Sequence, residues 1–231
     1  MTLQLFELVG TEENRPFSPY CWRTRMALAH KELEAISIPW RFTEKEAIAR
    51  HKSEKVPVLL DGERAINDSW SIATYLEDAY PDRPSLFGGD GGRAMGRMIN
   101  WWGDAVMIPG MVSLIILDIY NHLSPIDQAY FRETREARFK KTLEEASATR
   151  DRDVETFRKS LDPVRLTLRS QPFLGGEQPN YADYIVFGPF QWARAISGFQ
   201  LLQPNDAIYV WREKLLDAFG GMARKSAGYD V

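Results

Sequence analysis

Ser18 and Cys21 are the first residues whose types and spacing suggest chemistry. They close a four-residue frame within Phe17-Ser18-Pro19-Tyr20-Cys21-Trp22-Arg23. The spacing is that of a C-x-x-C redox pair with serine in the nucleophile's place. Strand formers over residues 3–9 precede it. Residues 17–31 read as a helix, with Ser18 as N-cap and Pro19 at the first helical position. A helix N-terminus offers unpaired N–H groups and a partial positive charge, and a thiol held there has its pKa lowered. A serine hydroxyl cannot exchange disulfides, but it can donate a hydrogen bond to a sulfur anion brought by a ligand. The plainer reading makes Ser18 a helix cap and Cys21 a small core residue.

Two further segments carry polar groups that would suit a peptide. In Lys55-Val56-Pro57-Val58 a proline opens an apolar run. A cis peptide bond there would leave the N–H and C=O of Val56 free to pair with an extended ligand; the alternative is an ordinary edge-strand proline. In Asn67-Asp68-Ser69 a helix opens directly after a strand. Asp68 would bind an ammonium, and Ser69 with the helix N-terminus a carboxylate, which together suit a free amino-acid head group. The alternative is a plain N-cap.

The elements that must position these residues alternate over the first 80 positions. Strand patterns at 3–9, 35–40, 56–60 and 64–67 and helical patterns at 17–31, 43–50 and 68–80 give the order β-α-β-α-β-β-α. Asp61-Gly62 marks a hairpin. Residues 81–92 hold two prolines and four glycines and read, through 93, as a linker. Residues 94–231 carry helical patterns only, within 93–117, 126–148, 154–170, 181–196 and 207–219, with bends expected at Pro109-Gly110 and Pro163. Asn180 and Asp183 form a capping-box-like start to the most apolar helix, and Asp183 reads as structural. The charge run 132–152 is a solvated helix face.

Composition narrows the function classes. Apolar residues are 44% and charged residues 26% of 231, which suits a folded soluble chain. Lys plus Arg is 29 against 32 Asp plus Glu, so no positive surplus exists for binding nucleic acid through a basic face. His30, His51 and His122 are scattered, and with a single cysteine they offer no metal site and no internal disulfide. That cysteine count fits a reducing cytosol. The first residues lack the basic flank and apolar run of a signal peptide. The uncharged run 105–117 is too short to cross a bilayer and contains Pro109. The expectation is a cytoplasmic protein with no membrane partner.

Taken together, the element order, Ser18 on the first helix, Val56-Pro57 before the third strand and Asp68-Ser69 on the third helix resemble the cytosolic glutathione transferases over essentially the whole chain. The resemblance implies an α/β thioredoxin-like domain over 1–80 that binds glutathione as cosubstrate. An all-α helical bundle over 94–231 would bind the second substrate, and the assembly would be a homodimer. It implies Ser18 as the catalytic, thiolate-stabilising hydroxyl, Val56 beside Pro57 as backbone partner of the glutathione cysteine, and Asp68 with Ser69 as clamp for its γ-glutamyl end. Lys55 would add a polar contact and Arg41 would reach the glycine carboxylate. Ser-x-x-x-Trp-Arg-x-Arg resembles serine-type zeta and related classes. The Pro-Tyr-Cys portion is also similar to glutaredoxins and the omega class, which carry cysteine where this chain has Ser18; that departure speaks against thiol transfer through position 18. The segment 181–194, with Phe17-Ser-Pro-Tyr and Trp101-Trp102, looks like the bacterial β-etherases and their fungal relatives, which implies an aromatic electrophile and β-aryl ether cleavage.

Aromatic density adds a hydrophobic substrate pocket at the domain junction, with Phe17, Trp22, Trp102, Tyr120 and Trp192 as candidates; the plainer reading of most of these is core. Three other activities fit the same residues: a glutathione-dependent reductase using Cys21, a zeta-like isomerase, and a non-catalytic protein that binds aromatic ligands.

Overall fold

Near-continuous burial along Leu3–Leu8, where only Gln4 is partly exposed, fits a strand inside the sheet, covered on both faces. The structure, a computed structural model, describes residues 2–231; Met1, included in the expected 1–80 domain and in the signal-peptide reading, lies outside them. The first elements are β1 (Leu3–Leu8), α1 (Pro19–His30), β2 (Ala35–Trp40), α2 (Lys45–Ala49), β3 (Val58–Asp61), β4 (Arg64–Asn67) and α3 (Ser69–Ala79), in the expected order. The sheet order is β2-β1-β3-β4. β2 runs parallel to β1, while β3 is antiparallel to β1 and β4 to β3. The Gly62 turn between β3 and β4 uses a positive φ of 59°, which glycine adopts without steric cost. This is the α/β thioredoxin-like half of the expected fold.

Register places the site. Phe6 pairs with Val58 and Val58 with Asn67. The loop leaving β1, the Val56-Pro57 entry to β3 and the Asn67-Asp68 exit from β4 therefore emerge at one end of the sheet. β3 begins at Val58, two residues later than residue 56 where the apolar run starts, because Pro57 has no N–H to give a ladder.

The remainder is helical: α4 (Asp90–Trp102), α5 (Ile108–Asn121), α6 (Pro125–Phe139), α7 (Leu143–Ser147), α8 (Arg150–Ser160), α9 (Asp162–Thr167), α10 (Tyr181–Ile196) and α11 (Ala207–Lys225). α4 starts inside the stretch read as linker. Gly92 makes that possible, since a Cβ there would sit 1.8 Å from the Phe87 carbonyl oxygen. α4 and α5 are joined by a π-helical turn, Gly103–Met107. Pro109 cannot donate to the carbonyl four residues back, and the ladder opens over the preceding turn rather than kinking at Pro109 itself. The expected 126–148 helix breaks after α6, where Lys140 adopts a left-handed φ of 53°. The expected 154–170 helix divides at Leu161, with Pro163 in the first turn of α9.

Continuity through the π-turn changes one expectation. The helix Asp90–Asn121 has 32 residues and is long and apolar enough, by length and composition, to cross a membrane, although the run 105–117 alone is not. Within the fold, Met107, Met111, Leu114, Ile115 and Ile116 of this helix are buried in the core. Met95, Met98 and Trp101 stay on its outside, 60, 58 and 58% exposed.

α10 is the axis of the bundle, and its Tyr184–Ala193 stretch is buried throughout. It lies directly against α1. Gly188 is the contact point, where a Cβ would meet the Pro19 carbonyl oxygen at 2.4 Å. The helical half thus grips the helix that carries Ser18.

Candidate functional site

Ser18 caps α1 with extended backbone (φ −62°, ψ 128°), and Pro19 supplies the helical φ that follows. Its Oγ accepts from the Cys21 backbone N–H at 3.3 Å. A hydroxyl has one proton and two lone pairs, so this cap uses acceptor capacity and leaves the proton free to donate. The site end of α1 therefore offers an O–H donor within the positive field of a helix N-terminus.

Cys21 is not a second reactive group. It is fully buried, its thiol 3.9 Å from the Phe6 carbonyl oxygen. Burial, reinforced by the Glu7 carboxylate, pushes its pKa up to about 12. It stays a neutral thiol at physiological pH, which counts against the redox role read from the sequence.

Val56-Pro57 is a cis peptide, the geometry the peptide-pairing reading asked for. Val56 is half-buried ahead of β3, and Lys55 is exposed beside it. Ser53 Oγ donates to the Lys55 carbonyl at 2.7 Å, and Asn67 Nδ2 donates to the carbonyls of His51 and Lys52 at 3.0 and 3.2 Å. Asn67 thus ties this loop to the end of β4. Its Oδ1 is a buried acceptor with no donor among the described residues.

Asp68 follows with a φ of 74°, rare for a residue with a Cβ. One carboxylate oxygen, Oδ1, accepts from the Trp70 and Ser71 N–H groups, each at 3.0 Å. The side chain is exposed, and Oδ2 remains for a cationic partner. Ser69 is buried next to it, and its carbonyl accepts from the Tyr181 hydroxyl at 2.7 Å. Tyr181 is the first residue of α10, so the helical half also anchors the start of α3.

Sequence reasoning missed the polar group behind these segments. Arg23 is fully buried. Its Nη1 donates to Asp104 Oδ1 at 2.9 Å and Asn100 Oδ1 at 3.2 Å, and its Nε to the Ile185 carbonyl at 3.3 Å. The guanidinium lies 4.8 Å from the centre of the Tyr20 ring. Tyr20 is half-buried on the first turn of α1, and burial, with the Asp104 and Asp68 carboxylates, holds its phenol above the ordinary value. An arginine amid a helical apolar pattern was the available signal.

Several expected site residues are employed elsewhere. Arg41 is bound through Nε to the Gly10 carbonyl at 3.1 Å and through its Nη atoms to Glu13 at 3.0 Å and Glu44 at 3.2 Å. A ligand carboxylate would have to displace those carboxylates. Trp22 is wholly buried, its indole N–H donating to the Pro16 carbonyl at 2.9 Å. Phe17 and Trp192 are also core residues. Trp102 and Tyr120 are half-buried on one continuous helix. Eighteen residues of helical rise separate them by about 27 Å, too far to line one small pocket. The junction aromatics are instead centred on Phe42, whose ring lies 6.4 Å from Phe17, 6.3 Å from Tyr130 and 5.7 Å from Phe131.

Asp183 is structural, as read. Its carboxylate accepts from the backbone N–H groups of Leu174, Gly175 and Asn180 and from the Trp211 indole, at 2.7–3.0 Å.

Comparison with known proteins matches two family models to the chain. Residues 17–79 match the family model described as glutathione S-transferase, N-terminal domain, and residues 94–212 the one described as glutathione S-transferase, C-terminal domain. Glutathione S-transferase U13 of Arabidopsis thaliana is 26% identical over 213 residues, 85% of this chain and 82% of its own. The glutathione S-transferase-like protein ustS of Aspergillus flavus is 29% identical over 174 residues, 69% of this chain; the match spans 58% of that relative's length. Among solved structures, the glutathione S-transferase CsGST63524 of Ceriporiopsis subvermispora, in complex with glutathione, superposes with a TM-score of 0.81 at 21% identity. That match covers 95% of this chain and 97% of the other, a likeness of fold.

Proposed function

The chain belongs to the glutathione S-transferase family, and on that premise we propose that it is a glutathione transferase whose Ser18 hydroxyl holds the glutathione thiolate for attack on an aromatic electrophile. The observation that carries the reading is the place of Ser18: it caps the α1 N-terminus, its oxygen accepting from the Cys21 N–H at 3.3 Å, and a hydroxyl used as acceptor keeps a proton that it can turn to a ligand sulfur. The tripeptide would lie along the sheet end defined by the Phe6, Val58 and Asn67 register. Its cysteine backbone would pair with Val56, its ammonium with Asp68 Oδ2, and its γ-glutamyl carboxylate with Ser69 and the α3 N-terminus. Lys55 would add a polar contact to the tripeptide.

The chemical step needs no covalent enzyme intermediate. The α1 N-terminus and the Ser18 proton stabilise RS⁻ over RSH, and each unit of pKa lowering is worth about 1.4 kcal/mol. The sulfur lone pair forms the carbon–sulfur bond while the electrophile's leaving group departs with its electron pair. Aryl ethers of the β-linked kind are one electrophile class to test first. Ser18→Ala should lower the conjugation rate at neutral pH by tenfold or more, in the order of one to two pKa units of thiolate stabilisation, with little change in glutathione KM. Full activity in that variant overturns the assignment.

We further propose a homodimer built on the outer face of α4. Met95, Met98 and Trp101 present an exposed apolar row there, next to half-buried Trp70. Sedimentation of Met98→Glu should give a monomer if this face pairs.

A further inference from the structure

The loop between β1 and α1, residues 10–17, delivers Ser18 and is held from outside by the other half of the molecule. At its start, Thr11 N–H donates to the His122 carbonyl at 2.9 Å. Gly10 allows that approach, since a Cβ would fall 2.1 Å from the same oxygen. At its end, Arg15 donates through Nη1 to the Ala195 carbonyl at 2.9 Å, and through Nε to Glu12 at 3.1 Å. One side chain joins these two anchor points. The Tyr229 hydroxyl is 3.0 Å from His122 Nε2, and the Arg15 guanidinium lies 5.9 Å from the centre of the Tyr229 ring.

Tyr229 is itself held firmly. Its N–H donates to the Arg194 carbonyl at 2.8 Å. Arg194 in turn donates to the carbonyls of Ser226 at 3.2 Å and Arg224 at 3.1 Å, fastening the segment after α11 along α10. Gly198 packs against the ring, with its Cβ position 3.5 Å from Tyr229 Cδ1. Arg212 bonds the Val231 carbonyl two residues further on.

We propose that Tyr229 is a positioning residue for the reaction. By joining His122 and Arg15 it fixes both ends of the β1–α1 loop, and through Pro16 and Phe17 it sets where the Ser18 hydroxyl meets the ligand sulfur. The proposal rests on the reading of Ser18 given above. Tyr229 touches neither substrate nor reacting atoms and acts through the loop alone. A sulfur–oxygen contact loosened by a few tenths of an ångström loses hydrogen-bond strength to the thiolate and leaves the peptide contacts of Val56 and Asp68 in place. Loss of Tyr229 should therefore fall on kcat and on thiolate pKa, with glutathione KM spared.

Steady-state conjugation of glutathione with a chromogenic aromatic electrophile, followed from pH 5.5 to 9, tests this. Tyr229→Ala should lower kcat at pH 6.5 about tenfold and move the ascending limb of the pH profile up by about one unit, the same free energy read two ways. Glutathione KM should change less than twofold. Tyr229→Phe, which keeps the ring beneath Arg15 and loses the bond to His122, should fall between Tyr229→Ala and the parent, and it serves if the alanine variant does not fold. A pH limb and kcat equal to the parent's in both variants overturn the proposal, as does a defect confined to KM. Ser18→Ala run in parallel separates the two claims. If Ser18→Ala is fully active, the assignment of Ser18 falls and the proposal for Tyr229 with it; if Ser18→Ala is impaired while both Tyr229 variants match the parent, the proposal for Tyr229 alone falls.

Discussion

The Nε of Arg23 donates to the carbonyl of Ile185 at 3.3 Å, and that carbonyl is the one Pro189 leaves without its helical partner. A proline inside a helix removes the donor for the residue four places back. In α10 the vacancy is filled from α1, by the same guanidinium that pairs with Asp104 at the π-turn. Arg23 thus closes three defects at once: the proline gap in α10, the charge of Asp104 and the amide oxygen of Asn100. Arg23→Met should strand all three and cost about 3 kcal/mol, at the lower end for a broken buried pair because Asp104 is partly exposed. Urea denaturation reads this directly. Pro189→Ala restores a donor for Ile185, so a cycle of the single and double variants should show coupling between Arg23 and Pro189 of roughly 0.5–1.5 kcal/mol; additivity would show the bond to be idle.

Local chemistry was legible in the sequence, and long-range chemistry was not. Ser18, Asp68 and Asn180 are all N-caps, as their residue types and neighbours say, because a cap is decided within three residues. The end of β4 and the start of α3 follow from the same local logic. Arg23 meets its partners 77, 81 and 162 residues away, and no periodicity reveals such a meeting. Arg41 misled because its charge is visible in sequence while Glu13 and Glu44, which occupy it, are brought to it by the fold. Trp22 misled because its indole N–H, which would suit a pocket wall, is satisfied by Pro16 inside the core.

Asp68 does two separable things. Oδ1 caps α3, and the charge on Oδ2 is the proposed partner of an ammonium. Asn caps about as well as Asp and tolerates positive φ. Asp68→Asn should therefore leave the thermal midpoint within a few degrees of the parent and raise glutathione KM about tenfold, the loss of one charge-assisted hydrogen bond of about 1.5 kcal/mol. A stability loss with unchanged KM would make Asp68 a cap and nothing more.

His30 makes stability depend on pH. Its Nε2 is 3.0 Å from the Ser85 carbonyl, which can only accept, so Nδ1 is the unprotonated nitrogen that accepts from the Tyr184 hydroxyl at 2.7 Å. Burial holds its pKa below the ordinary 6.5, Lys31 adds to the effect, and Glu77 and the Ser85 bond oppose it. His51 and His122 are lowered in the same sense, again by burial first. The unfolded chain therefore takes up these protons at higher pH than the folded one does. Stability is full above about pH 6.5 and falls as pH drops through that value toward the lower folded pKa. Glu77, held below the ordinary 4.5 by its Lys31 and Ser85 hydrogen bonds, gives a distinct loss beginning only near that lower pH. Melting curves across pH 7.5–5.5 should show the upper step, and His30→Gln should flatten it in part; an unchanged slope would remove His30 as its source.

Cys21 offers the sharpest separation of thiolate binding from thiol catalysis. A reductase working through this residue needs a reachable thiolate, whereas the fold gives a thiol without solvent access, against the Phe6 carbonyl, with a pKa near 12. Cys21→Ala should keep conjugation activity within twofold, because the backbone N–H that Cys21 donates to Ser18 Oγ is retained by alanine. The lost sulfur leaves a small void beside α1 and costs about 1 kcal/mol. A thiol-modifying reagent should leave the native protein unlabelled and label it once urea unfolds it. Loss of turnover in Cys21→Ala with unchanged stability would reverse the roles of the two residues and move the reactive sulfur from the ligand to the chain.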